Sequence, residues 1–181
     1  MDMYKLNFTK LQNEIFRLFC IKAGMSLNQR GVARILQVSP TAVAKASQAL
    51  EKEELIKTEK SKTMNLISIQ LNRDNLLAVA LKRVENLKLI YESGLADFLE
   101  EKLPGCTIIL FGSYSLGEDT VDSDIDIAVI GSKVKQISLT KFHKMLERTI
   151  FLHFYEDFNK IKKNLKSNIL NGIILAGAVE I

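Results

Sequence analysis

Apolar residues return at helical spacing in three early segments of the chain. From Thr9 to Ala23, Leu11, Ile15, Phe16, Leu18, Phe19 and Ile21 form one stripe, and Gly24 supplies a stop suited to positive φ. A shorter pattern from Asn28 to Gln37 turns Val32, Ala33, Ile35 and Leu36 inward. Ser39 and Pro40 then read as the N-cap and first residue of a third helix running to Glu53. Its Val43, Ala46, Ala49 and Leu50 share one side, and Thr41, Lys45 and Gln48 share another. The period shifts toward two after that helix. A short strand is expected around Leu55 to Thr58, then a polar turn with Lys60 and Lys62, then a second strand with Ile67, Ile69 and Leu71 on one face. Two helices joined by a tight turn and followed by a hairpin predict a helix-turn-helix with a wing.

Helical spacing resumes from Asn75 to Leu103, where Gly94 is a candidate break and Pro104-Gly105 a closure. Beyond it lie a buried strand, Thr107 to Phe111, a glycine-bounded turn and short helix to Gly117, and a second strand, Ser123 to Ile130. A third apolar segment spans Thr149 to Tyr155, and a helix is expected from about Asp157 to Leu170. There is no internal repeat and no low-complexity tract. The pattern implies an α+β chain: residues 1–72 as the winged unit, 73–104 as a helical connector packing on the second domain, and 105–181 as a small mixed sheet flanked by helices.

Composition adds limits. With 47% apolar and 25% charged residues the chain is globular in character. Its longest apolar-rich runs are about ten residues or fewer, roughly half of a membrane-spanning helix, which excludes a helical membrane protein. The start, MDMYKLNFTK, has no export-signal pattern, so a cytoplasmic location is expected. Cys20 and Cys106 lie in apolar patterns without metal-binding spacing and read as buried free thiols. Charge is uneven: residues 1–72 carry eleven Lys/Arg against six Asp/Glu, and residues 73–181 carry fourteen against fifteen. A basic first segment suits a nucleic-acid partner.

The residues able to do chemistry cluster after Pro104. Gly112 lets backbone approach a phosphate, and Ser113 adds a hydroxyl beside free amides at a helix start. On the following strand Asp124 and Asp126 are two apart, so both carboxylates face one side while Ile125, Ile127 and Val129 face the other. Paired hard oxygens suit Mg²⁺ shared with substrate phosphates. Glu118, Asp119 and Asp122, in the intervening turn, read as a solvated loop, and Lys160, Lys162, Lys163 and Lys166 as a solvated helix surface.

Two resemblances follow. The run from Ser39 to Ile56, SPTAVAKASQALEKEELI, resembles the recognition helix and wing entry of winged-helix regulators, over roughly residues 8–72. That resemblance implies double-stranded DNA as a partner, with Thr41, Lys45 and Gln48 at base edges or phosphates and Arg30, Arg34, Lys60 and Lys62 on the backbone. The same fold also serves protein contacts and dimerisation. Gly112-Ser113, Gly117 and Ser123-Asp124-Ile125-Asp126 resemble the ordered signature of the polymerase-beta-type nucleotidyltransferase superfamily, closest in length to its minimal stand-alone subgroup. The resemblance implies nucleotide binding by Gly112, Ser113, Gly117 and Ser123. It implies Asp124 and Asp126 as catalytic Mg²⁺ ligands, and transfer of a nucleotidyl group from a nucleoside triphosphate to a hydroxyl.

The superfamily adds a third carboxylate from a later strand, and here the sequence departs: Thr149 to Tyr155 contains no Asp or Glu. His153 is the polar residue there able to face the site, and imidazole is a poor substitute for a Mg²⁺ carboxylate. Glu147, Glu156 and Asp157 are the outlying acidic candidates. Alternatives from other classes are therefore a transcriptional regulator whose second domain is a catalytically silent sensor or dimerisation module, and an antitoxin-like partner of another protein; residues 75–103 are a candidate homodimer interface in any of these readings.

Overall fold

The computed structural model describes residues 7–61 and 66–179. The chain divides into two compact units, Met1–Lys82 and Arg83–Ile181.

The first unit begins with helix α1 (Lys10–Ile21), started by a reciprocal capping box between Thr9 and Gln12. Strand β1 (Leu27–Asn28) leads into α2 (Gln29–Leu36), whose first turn is capped when the Asn28 side chain accepts from the Gly31 amide at 2.8 Å. Gln37 ends α2 in the left-handed region, and Ser39 Oγ opens α3 (Pro40–Lys52) by accepting from the Ala42 amide at 3.1 Å. Pro40 fits at the first helical position because no partner awaits its missing N–H there. Strands β2 (Ile56–Lys60) and β3 (Ile67–Leu71) form the wing, and β1 pairs on the free edge of β3 to give the antiparallel order β1-β3-β2. Ile15, Phe19, Val32, Val43, Leu50, Leu55 and Ile69 have no solvent exposure and form the core of this unit. Ile35 does not turn inward as its spacing suggested: it is 49% exposed, because an eight-residue helix offers an inward stripe only to Val32, Ala33 and Leu36.

Helix α4 (Leu76–Glu92) contains the division between the units, and Gly94, at φ 72°, separates it from α5 (Leu95–Lys102). The second unit holds a mixed sheet built from β4 (Thr107–Phe111), β5 (Ile125–Ile130), β6 (Ile150–Tyr155) and β7 (Ile173–Ala176), in the order β6-β5-β4-β7. The β4–β5 and β4–β7 pairs are antiparallel, and β5–β6 is parallel. Helix α6 (Gly112–Leu116) follows β4 directly, α7 (Thr140–Leu146) lies in the crossover to β6, and α8 (Lys163–Leu170) precedes β7. Strand alternation divides the core. Ile108, Leu110, Ile125, Ile127 and Val129 pack with α5 and α7 residues on one face, whereas Ile109, Phe111, Ala128 and Ile130 pack with Ile161 and Ile169 on the other.

One expected element changed, and one further element was not expected. The helix expected from Asp157 starts only at Lys163, because Asp157 caps a short 3-10 turn, Phe158–Lys160, by accepting from the Asn159 amide at 2.6 Å. The apolar tail after Gly172 contains β7, an edge strand too short for its periodicity to show. Cys20 and Cys106 are buried free thiols, as expected. Among the described residues no helix is long and apolar enough to cross a membrane.

Candidate nucleotide and metal site

The candidate site lies where β4 ends and β5 begins. Antiparallel pairing sets Phe111 opposite Asp126, so Gly112, the next residue, stands beside that carboxylate. Gly112 has φ 75°, and a Cβ built there would lie 3.0 Å from Asp126 Oδ2. Any side chain at 112 would thus face both backbone strain and an oxygen that gives little room. Ser115, buried inside α6, donates its hydroxyl to the Gly112 carbonyl at 2.8 Å and holds the turn from behind. Gly117 ends α6 in the left-handed region at φ 78°. The Ser113 carbonyl accepts from the Glu118 amide at 3.0 Å and starts the chain's return toward β5.

The carboxylates differ in setting. Asp124 is exposed, one residue ahead of β5, whereas the Asp126 side chain is 33% exposed and partnered. His153, on β6, places Nε2 2.8 Å from Asp126 Oδ1. The parallel register sets Phe151 opposite Asp126 and His153 opposite Ala128, so Asp126 and His153 share one face as diagonal neighbours. The Phe111 ring meets the imidazole edge-on, with centroids 5.4 Å apart. Ser123 acts locally, its Oγ accepting from the Thr120 amide at 3.0 Å and tightening the turn before the carboxylates.

The other acidic candidates separate. Glu147, at φ 51°, ends α7 and with Asp122, Asp124, His143 and Arg148 lines an open hollow of about 390 Å³ beside Asp124. Glu156 pairs with Lys160, and it and Asp157 line a larger cavity of about 660 Å³ with Cys106, Thr107 and Ile130 at the opposite end of the sheet. Among the described residues, no three His, Cys, Asp or Glu side chains converge into a ready-made metal cage.

Asp119 is not part of a solvated loop. It is 1% exposed, its Oδ1 accepts from Asn86 Nδ2 at 2.7 Å, and its Oδ2 lies 3.6 Å from Arg148 Nη2, also buried. Asn86 also donates to the Tyr114 carbonyl at 2.8 Å, which ties α4 to α6 and to the loop ahead of the carboxylates. These supports have a trace in the sequence: Asn86 stands four residues before Ile90 in the buried stripe of α4, a polar residue where an apolar one is expected. Ser115 leaves no such trace.

In the first unit Arg30, Arg34, Thr41, Lys45, Gln48 and Lys60 are all exposed, with Thr41, Lys45 and Gln48 along one side of α3. Lys62 lies outside the described residues.

Residues 92–175 match the family model of the nucleotidyltransferase domain. Among solved structures the N-terminal half is similar to a Lactococcus lactis ZitR variant, at 22% identity and TM-score 0.41, over 54% of this chain and 64% of that one. It is also similar to the adhesin competence repressor AdcR of Streptococcus pyogenes, at 20% identity and TM-score 0.41, over 54% of this chain and 69% of that one. A S. aureus MepR–DNA complex is similar at 18% identity and TM-score 0.38, over 53% of this chain and 78% of that one. The chain thus spans slightly less than two thirds of the ZitR variant's length. No curated protein matches. With α1–α3 and the β1-β3-β2 wing ahead of the matched region, the chain joins an N-terminal winged-helix fold to a region that matches the nucleotidyltransferase domain model.

Proposed function

We propose that the second domain binds a nucleoside triphosphate with Mg²⁺ and transfers its nucleotidyl group to a hydroxyl, releasing pyrophosphate, and that the winged helix carries it to double-stranded DNA. The observation that carries this reading is the close approach of the Gly112 backbone to the Asp126 carboxylate, which leaves no room for a side chain at 112 and sets the start of α6 beside a carboxylate suited to a cation. Gly112 and Ser113 offer backbone amides, and Ser113 its hydroxyl, to phosphate oxygens. Asp124 and Asp126 hold the cation, and the hollow beside Asp124 has room for the rest of the nucleotide or the acceptor. Mg²⁺, when bound, supplies neutralising charge to the triphosphate and the departing pyrophosphate.

Labelled nucleoside triphosphates incubated with the full chain and Mg²⁺ test this, with label followed into the protein itself, DNA, RNA and candidate partner proteins. The Asp124→Asn, Asp126→Asn double variant is expected to lose Mg²⁺-dependent nucleotide binding by about 100-fold or more, since each change removes a charged ligand. Unchanged binding in that variant would remove the site from consideration.

A second reading is favoured by the absence of any acidic residue on β6 and by the contact of His153 with Asp126. In it the domain binds nucleotide without transferring it and acts as the sensor of a DNA-binding regulator, with a second copy or another protein as its partner. Nucleotide binding without label transfer identifies this case.

Both readings rest on duplex binding. Affinity is expected to fall steeply with salt, and Lys45→Ala and Arg34→Ala are each expected to weaken it and reduce the salt slope by about one. Electrophoretic or anisotropy titrations at several salt concentrations measure this, and a flat salt response would count against DNA as the partner.

A further inference from the structure

We propose that His153 is a cation ligand alongside Asp126, and that it biases the site toward Mn²⁺ over Mg²⁺. This rests on the cation-and-nucleotide reading above and specifies which cation that site prefers.

His153 Nε2 and Asp126 Oδ1 lie 2.8 Å apart and belong to adjacent parallel strands with their side chains on one face. Neighbouring ligands of a six-coordinate ion at about 2.1 Å stand about 3 Å from each other, so the two donors already have the spacing of a coordinated pair. Both side chains remain about one third exposed, at 37% and 33%, and are open to an ion from solvent. The edge contact with Phe111 and the approach to Asp126 already place the ring where a shared ion would need it. A cation entering here takes the place of the proton that Nε2 shares with Asp126 Oδ1, and the neutral imidazole, with its own proton on Nδ1, then offers the Nε2 lone pair. Nitrogen donors contribute little to Mg²⁺, which prefers oxygen, and more to a first-row transition ion. Mn²⁺ is the transition ion that also accepts carboxylate and phosphate oxygens readily, and those are the other donors at hand. A purely positioning His153, holding Asp126 in place, would affect both ions alike, and this separates the two roles.

The test is competition between Mn²⁺ and Mg²⁺ for the full chain, followed by electron paramagnetic resonance of free and bound Mn²⁺. Binding of a labelled, non-hydrolysable ATP analogue is measured in the same samples. Wild type is expected to favour Mn²⁺ by at least about tenfold and to show ¹⁴N coupling from a coordinated imidazole. His153→Ala is expected to lose the coupling and most of the preference while retaining Mg²⁺ binding. His153→Asp is expected to shift the preference toward Mg²⁺. Absence of ¹⁴N coupling in wild type, or an unchanged Mn²⁺-to-Mg²⁺ ratio in His153→Ala, overturns the assignment even if the analogue binds. Absence of both ion and analogue binding in wild type overturns the nucleotide reading as well.

Discussion

Gly172→Ala is expected to destabilise the second domain by about 3 kcal/mol or more, near the upper end for an overpacked interior position. Gly172 joins α8 to β7, where its amide donates to the Ile169 carbonyl at 3.0 Å. A Cβ at this position would collide with the Leu110 carbonyl oxygen, and would come within 2.8 Å of Ile109 Cγ2 and 2.9 Å of the Ile169 carbonyl oxygen. Two of those three atoms are backbone, which cannot rotate away as a side-chain end can. Relief would require β4 or the end of α8 to move, and β4 leads directly into Gly112. Urea denaturation measures the effect, and a midpoint equal to wild type would show that the α8–β7 junction yields freely. Weaker nucleotide binding in the part that stays folded would show the displacement reaching the Gly112 turn.

Asp119→Ala is expected to cost about 3–5 kcal/mol, the usual result of removing one member of a buried ion pair. The Asp119 and Arg148 side chains are 0% and 3% exposed, so the remaining guanidinium would stay buried without this carboxylate. The change also removes the acceptor for Asn86 Nδ2, a hydrogen bond linking α4 to the loop before the paired aspartates. Asp119→Asn is expected to cost less, because an amide oxygen still accepts from Asn86. Thermal and chemical unfolding of both variants separates charge from hydrogen bonding, and equal losses would show that the Asn86 contact contributes nothing beyond the pairing with Arg148.

Features set by local chemistry were legible in the sequence. The start of α3 follows from a side-chain cap and a proline that fits one position, and both are neighbours in the chain. The opposite faces of Asp126 and Ile125 follow from strand alternation. Features set by distant pairing were not legible. Strand β1 has only two residues, and Asn28 also caps α2, so the helix signal obscured the strand. Asp119 looked like a loop acid because its burial depends on Asn86 and Arg148, 33 and 29 positions away along the chain. His153 was recognisable as the polar residue of its strand. Its meeting with Oδ1 of Asp126 depended on a parallel register that no local pattern encodes.

That parallel register also bears on how the second domain is assembled. Strands β4 and β5 lie close in the chain and meet as an antiparallel pair, so Gly112 and Asp126 come together by closing a short loop. Strand β6 reaches the other edge of β5 only after the crossover through α7, since parallel strands cannot be joined by a tight turn. Closing the longer connection costs more chain entropy before its contacts repay it. The juxtaposition of Gly112 and Asp126 therefore belongs to the early, local part of folding, and the imidazole beside it to a later step. A nascent or truncated chain ending before β6 would carry the first without the second.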